Sequence, residues 1–213
     1  MKGVAFAGKK GGTGKTALAH ALALGAAWQG APAYFMHTDD REPLRVNGRP
    51  YAYYDARDPK TLETLSNTAL NNDGLFIIDS GGNRPEFDQW ITKAMDLVII
   101  PFMPDPEVVK TNLDHMKRLE EEGARNVRAL INAYPSNRNE RDYVAQFLAD
   151  IPTDKIIGYV AKTEAIRTLR MDDDPNFKTP VTRVNNLSRG LYFTVMEALN
   201  AVAEHEGRKK EAT

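Results

Sequence analysis

Three glycines and two lysines fall within the seven residues Lys10-Gly11-Gly12-Thr13-Gly14-Lys15-Thr16, which is the composition of an anion cradle. Glycine lets a chain wrap tightly enough to aim successive backbone N–H groups at one phosphate, because no Cβ stands in the way. In such a loop Gly11, Gly12, Thr13, Gly14 and Ala17 lie along the bound phosphates. The Lys15 ammonium reaches the β and γ phosphates, and Thr16 turns its hydroxyl to Mg²⁺. The strict spacing of a phosphate loop asks for glycine at position 9, where this chain has Lys9, with Gly8 one residue early. The loop is therefore a variant with an additional lysine, Lys10, at its head.

A second candidate is Asp79, which closes the apolar run Leu75-Phe76-Ile77-Ile78. A carboxylate at the end of a buried strand, level with the phosphate loop, can hold a water of the Mg²⁺ shell. Asp79-Ser80-Gly81-Gly82 also has the spacing D-x-x-G, which would let the Gly82 N–H sense a γ-phosphate. The ligands expected from these residues are ATP and Mg²⁺.

Positioning such groups requires strands that end beside helices, and the sequence alternates accordingly. Strand-like segments are read at Val4–Ala7, Ala33–Thr38, Tyr51–Tyr54, Leu75–Asp79, Leu97–Ile100, Val127–Ile131 and Lys155–Gly158. Helical periodicity is read over 15–29, from 59 to an end at Asn71-Asn72, and over 84–94, 105–122, 137–149, roughly 162–170 and 187–204. Asp58-Pro59 and Asp105-Pro106 pair a capping carboxylate with a first-turn proline. Buried strands alternating with helices predict a doubly wound α/β domain with a mostly parallel sheet and helices on both faces, a P-loop NTPase fold. Residues 1–213 are expected to form this one domain, with 206–213 as a frayed polar tail.

The 213-residue chain has no cysteine, which removes disulfides, thiolate zinc and iron–sulfur clusters. Its four histidines lack ligand spacing, and its formal net charge of −1 gives no global basic signature for nucleic acid. With no apolar run of membrane-spanning length and no signal peptide before the first strand, a cytoplasmic protein is expected.

The string KGGTGKT resembles the deviant phosphate loop of the ParA/MinD family of ATPases, and the chain looks most like the short ParA-like partition proteins that lack an N-terminal DNA-binding domain. The resemblance implies that Lys10 crosses a homodimer interface to the phosphates held by the partner, so that Lys10 and Lys15 both serve catalysis. It implies a water-positioning role for Asp39, with Asp40 as substitute, although His37, Asp40 and Arg41 depart from the family's aspartate, proline and glutamine. It also implies that Asn132 reads the base and that Pro101–Pro106 lies near the base or the dimer interface. DNA would be held without sequence preference by basic residues of the last third: Lys162, Arg167, Arg170, Arg183 and Arg189. A ParB-like or adaptor partner would stimulate slow hydrolysis, the ATP-bound dimer would sit on the nucleoid, and no membrane would be involved. Two other readings fit the loop: an ATP-dependent ligase or amidase of cofactor synthesis, and a MinD-like membrane-positioning ATPase.

Overall fold

The computed structural model describes residues 1–44, 48–69, 72–81, 90, 94–124, 126–171 and 182–211, with side chains described as far as 204. Seven strands form one sheet: β1 (Lys2–Phe6), β2 (Ala33–His37), β3 (Ala52–Asp55), β4 (Leu75–Asp79), β5 (Leu97–Phe102), β6 (Val127–Tyr134) and β7 (Ile156–Ala161). Their order is β3-β2-β4-β1-β5-β6-β7, and every pairing is parallel. The described helices are α1 (Lys15–Trp28), α2 (Pro59–Ala69), α3 (Pro106–Glu121), α4 (Arg138–Leu148) and α5 (Thr182–Glu211), with short 3₁₀ turns at Thr153–Lys155 and Glu164–Arg170. This is the P-loop NTPase α/β fold.

Strand alternation divides the core into two layers. Val4, Phe6, Phe35, Ile77 and Ile99 face α1 and α5, where Leu18, Leu22, Leu191, Val195 and Leu199 are buried against them. Ala5, Met36, Ile78, Val98 and Ile100 face the opposite way and pack with Leu62 of α2, Val109, Met116 and Leu119 of α3, and Leu148 of α4. Each such side chain removed from water contributes about 1.5–3 kcal/mol, so the buried middle strands hold the sheet's C-terminal edge in place.

Helix ends follow the local chemistry of the sequence. Asp105 caps α3 by accepting the Val108 N–H at 3.0 Å, with Pro106 in the first turn. Asp58 accepts the Thr61 N–H at 2.9 Å at the head of α2. Gly123, at φ 100°, ends α3 in the left-handed region that glycine tolerates.

Several boundaries differ from expectation. β6 runs on through Tyr134, so Asn132 lies inside a strand, beside a register irregularity at which Ala133 takes φ 54°. The helix expected around Lys162 to Arg170 is a 3₁₀ turn that packs on α1. α5 begins at Thr182, earlier than its apolar stripe, and continues to Glu211 through most of the stretch expected to fray. The helix read over 84–94 lies outside the described residues except for Trp90 and Ala94.

Gly25 marks where α1 and α5 approach most closely, since a Cβ there would collide with the Ser188 backbone carbonyl of α5. Gly25→Ala is expected to lose about 1–3 kcal/mol of stability by overpacking, against the gain of up to about 1 kcal/mol that the same change brings in an open helix. Denaturant unfolding decides between the signs.

Candidate nucleotide site

The loop between β1 and α1 sits at the C-terminal edge of the central strand, where ligands bind in open α/β sheets. Gly12 and Gly14 adopt φ 80° and 95°, and Gly14 forms the cap from which α1 starts. These are backbone conformations that L side chains rarely adopt, which is why the loop needs glycine there. A cleft of about 530 Å³ opens over the loop, lined by Gly11 to Thr16, Lys9, the Asp39–Arg41 turn, Gly81 and Arg170.

Backbone bonds across the sheet edge bring the acidic groups to this cleft. The Ser80 N–H donates to the Phe6 carbonyl at 3.0 Å, and the Thr38 hydroxyl donates to the Asp79 carbonyl at 2.8 Å. Thr38 thereby ties the end of β2 to the end of β4, carrying Asp39 to the same side as Asp79. Lys15 is 8% exposed, and its ammonium donates to the Lys10 carbonyl at 3.3 Å, across the concavity of its own loop.

Asp79 is buried, and neither carboxylate oxygen has a hydrogen-bond partner among the described residues. Burial pushes its carboxyl up to about 6. The neighbouring Thr16 hydroxyl, which closes no hydrogen bond by distance and angle, pulls the other way, as do the His37 and Lys15 charges. A buried acceptor without a donor costs free energy unless a cation or an ordered water meets it. Asp79 and the Thr16 hydroxyl supply the hard oxygen ligands that a hydrated Mg²⁺ takes, so the residues fit that ion.

Asp39 is engaged otherwise. Its carboxylate accepts the Arg41 N–H at 3.1 Å, Nε at 3.2 Å and Nη2 at 2.6 Å. The Arg41 side-chain bond, the largest influence, holds the carboxyl below the usual aspartate range. The same fork recurs one strand over, where Asp55 accepts from Arg57 through the same three nitrogens. His37 is buried with Nε2 2.9 Å from the Arg41 carbonyl, so it braces this turn from beneath. Lys10 does not line the cleft over its loop and pairs with Glu107 at the start of α3, 2.5 Å away.

The Asn132 side-chain N–H donates to the Thr13 carbonyl at 2.8 Å, bracing the phosphate loop from β6. Asn132 and Ala17 also line a second cleft that continues from the loop toward Met103 and the 160–170 segment. Three of the basic candidates, Lys162, Arg167 and Arg170, line this cleft as well. Arg183 instead lines a groove between β7 and α5, and Arg189 is exposed on α5. Gly82 lies outside the described residues. Sequence reasoning missed Glu107 as the partner of Lys10 and Arg41 as the clamp on Asp39. The D-x-R spacing, present twice, was the available signal for the clamp, whereas Glu107 is distant in sequence and only the fold brings it near.

No family model and no curated protein matches the sequence. Solved structures do. The MinD cell division protein of Aquifex aeolicus superposes with a TM-score of 0.71 over 92% of this chain and 97% of that one, at 18% identity. An Asp-to-Ala variant of McdA from Cyanothece in complex with ATP gives 0.66 over 94% and 96%, at 16% identity. A ParA family ATPase from Chlorobium tepidum gives 0.65 over 90% and 97%, at 12% identity. The chain thus shares the fold of the MinD, McdA and ParA structures along nearly its whole length.

Because burial raises the Asp79 carboxyl, its ionised form costs stability above pH 6. That cost shrinks as pH falls from about 6 toward the ordinary value of 3.8 and is absent below it. Asp79→Asn is therefore expected to stabilise the nucleotide-free protein by roughly 1–3 kcal/mol at pH 8, with the advantage fading by pH 4, while Mg²⁺-dependent nucleotide affinity falls. Unfolding curves of both proteins across that range check the sign.

Proposed function

We propose that the chain is an ATP-switched positioning ATPase: ATP closes two copies into a sandwich dimer, the dimer binds DNA without sequence preference, and a partner protein stimulates hydrolysis and release. The observation that carries this reading is Lys10. It belongs to the phosphate loop, yet it does not line the cleft over that loop and instead forms a half-exposed ion pair with Glu107. A lysine so placed suits a phosphate bound by a second copy better than one bound by its own loop, and an exposed pair of this kind is weak enough to exchange.

In this reading Gly11 to Ala17 cradle the phosphates, Lys15 leaves the Lys10 carbonyl for the β and γ oxygens, and Asn132 lies toward the base. Thr16 and Asp79 would hold Mg²⁺, directly and through water; the ion would neutralise charge on the transferring phosphoryl group. Asp39 would orient the attacking water once Arg41 releases it, and the need for that release is a physical reason for slow hydrolysis without a stimulating partner. The DNA-bound form would be nucleoid-associated and cytoplasmic, with a ParB-like or adaptor protein as partner and a plasmid, chromosome region or protein assembly as cargo.

The apolar stripe of α5 argues against a membrane-seeking role for that face: Leu191, Val195, Leu199 and Val202 are buried. No helix among the described residues is long and apolar enough to cross a membrane.

Sedimentation with ADP, ATP and a slowly hydrolysed analogue, run beside a DNA titration at low salt, tests the reading. A dimer that binds DNA only with ATP or the analogue is expected; a monomer indifferent to DNA in every state contradicts it. Lys10→Ala is expected to keep nucleotide affinity within about threefold while losing ATP-dependent dimerisation. Asp39→Ala should dimerise normally yet lose about 10²-fold or more of stimulated turnover, as loss of a positioned base or water-orienting group does.

A further inference from the structure

We propose that Arg170 is a nucleotide-binding residue, an arginine carried in from the chain's C-terminal third to contact the phosphates held by the glycine loop. The proposal rests on the nucleotide-binding reading above and removes Arg170 from the set of DNA-contacting candidates.

Its position carries the argument. Arg170 ends the 3₁₀ turn Glu164–Arg170, which packs on α1, the helix that the phosphate loop begins. Its side chain lines the cleft over the phosphate loop, the adjoining cleft that holds Asn132, and a small cavity of about 180 Å³ beside Thr16 and His37. No other described residue lines all three. It stands where the phosphate end of a nucleotide passes into the sugar and base end.

The turn is held rigidly enough for that placement to count. Leu169 is 1% exposed and anchors it in the core. Arg49 donates to the carbonyls on either side of Arg170, Leu169 at 3.0 Å and Met171 at 3.1 Å. Arg49 is itself fixed by the Tyr51 hydroxyl at 3.0 Å and lies over the Tyr51 and Tyr53 rings. The Tyr51 hydroxyl also meets His20 Nδ1 of α1 at 2.8 Å. One chain of contacts therefore runs from α1 through Tyr51 and Arg49 to the backbone of Arg170.

Charge separates Arg170 from its neighbour. Arg167 pairs with Glu164 at 3.1 Å, where both are well exposed. Among the described residues no carboxylate forms an ion pair with Arg170. A planar guanidinium left over a phosphate cradle, on a braced backbone, presents the fork of donors that binds phosphate oxygens two at a time.

The test is calorimetric titration of Mg²⁺-ADP into the wild-type chain and into Arg170→Ala, Arg170→Lys, Arg49→Gln and the Arg49→Gln/Arg170→Ala double variant. Arg170→Ala is expected to weaken binding about tenfold or more, the loss typical of a charged hydrogen-bonding group, with Arg170→Lys recovering part of it. Because Arg49 acts through Arg170, the double variant should bind no more weakly than Arg170→Ala alone. Arg170 is exposed, so the melting temperature of its variants should stay that of the wild type. Wild-type affinity in Arg170→Ala overturns the inference. If Lys15→Ala abolishes binding while Arg170→Ala leaves it intact, the inference alone falls. If the wild-type chain does not bind Mg²⁺-ADP, the nucleotide reading falls with it.

Discussion

The structure turns on one carboxylate placed where a protein ordinarily avoids one. Asp79 ends a strand that is buried along its full length, and its side-chain oxygens close no hydrogen bond among the described residues, with only the Thr16 hydroxyl beside them. A fold keeps such a group against its desolvation cost only where something outside the chain repays it. The parallel sheet sets the place: β4 lies beside β1, so the residue that ends β4 sits next to the loop that leaves β1. The register pairs Phe6 with Asp79 and His37 with Asp79, which puts the ends of three strands at one level. The glycine loop, the acidic turn after β2 and the buried carboxylate converge for that reason.

Around Asp79 the charged groups hold one another in pairs that a nucleotide would have to exchange. Lys10 holds Glu107, Arg41 holds Asp39, and Lys15 rests on a carbonyl of its own loop. The two ion pairs are partly exposed, so each is worth little in stability and is readily replaced, whereas Lys15 is buried in its loop. The scaffold beneath them is the opposite: Thr38, Ser80 and His37 are buried and tie strand ends together through backbone atoms. A rigid edge beneath exchangeable charges is the arrangement that the proposed ATP switch would need.

Much of the fold was legible in the sequence, because runs such as Leu75–Ile78 and Leu97–Ile100 are too uniformly apolar for anything but strands covered on both faces. Caps at Asp58 and Asp105 were legible for the same local reason: a carboxylate before a proline fits little else. The places of the glycine loop, between a strand and a helix, and of Asp79, at a buried strand end, could be read because neighbours in sequence carry the signal. The 160–170 segment could not, since a 3₁₀ turn has no strong period and its placement against α1 comes from long-range packing. Lys162, Arg167 and Arg170 read as DNA-contacting candidates and line a cleft beside Asn132; charge is visible in a sequence, but the direction it faces is not. The extension of β6 past Asn132 escaped because a strand irregularity at Ala133 leaves no residue signature.

In the proposed function Asp79 is the group that would receive Mg²⁺ beside a bound nucleotide. The direct measurement is the titration of its carboxyl carbon by NMR, with and without Mg²⁺-ADP. A midpoint near 6 in the free protein is expected, as burial dictates, falling well below the ordinary aspartate value of 3.8 when the nucleotide and ion are present. A midpoint that stays near 6 with Mg²⁺-ADP bound would contradict it.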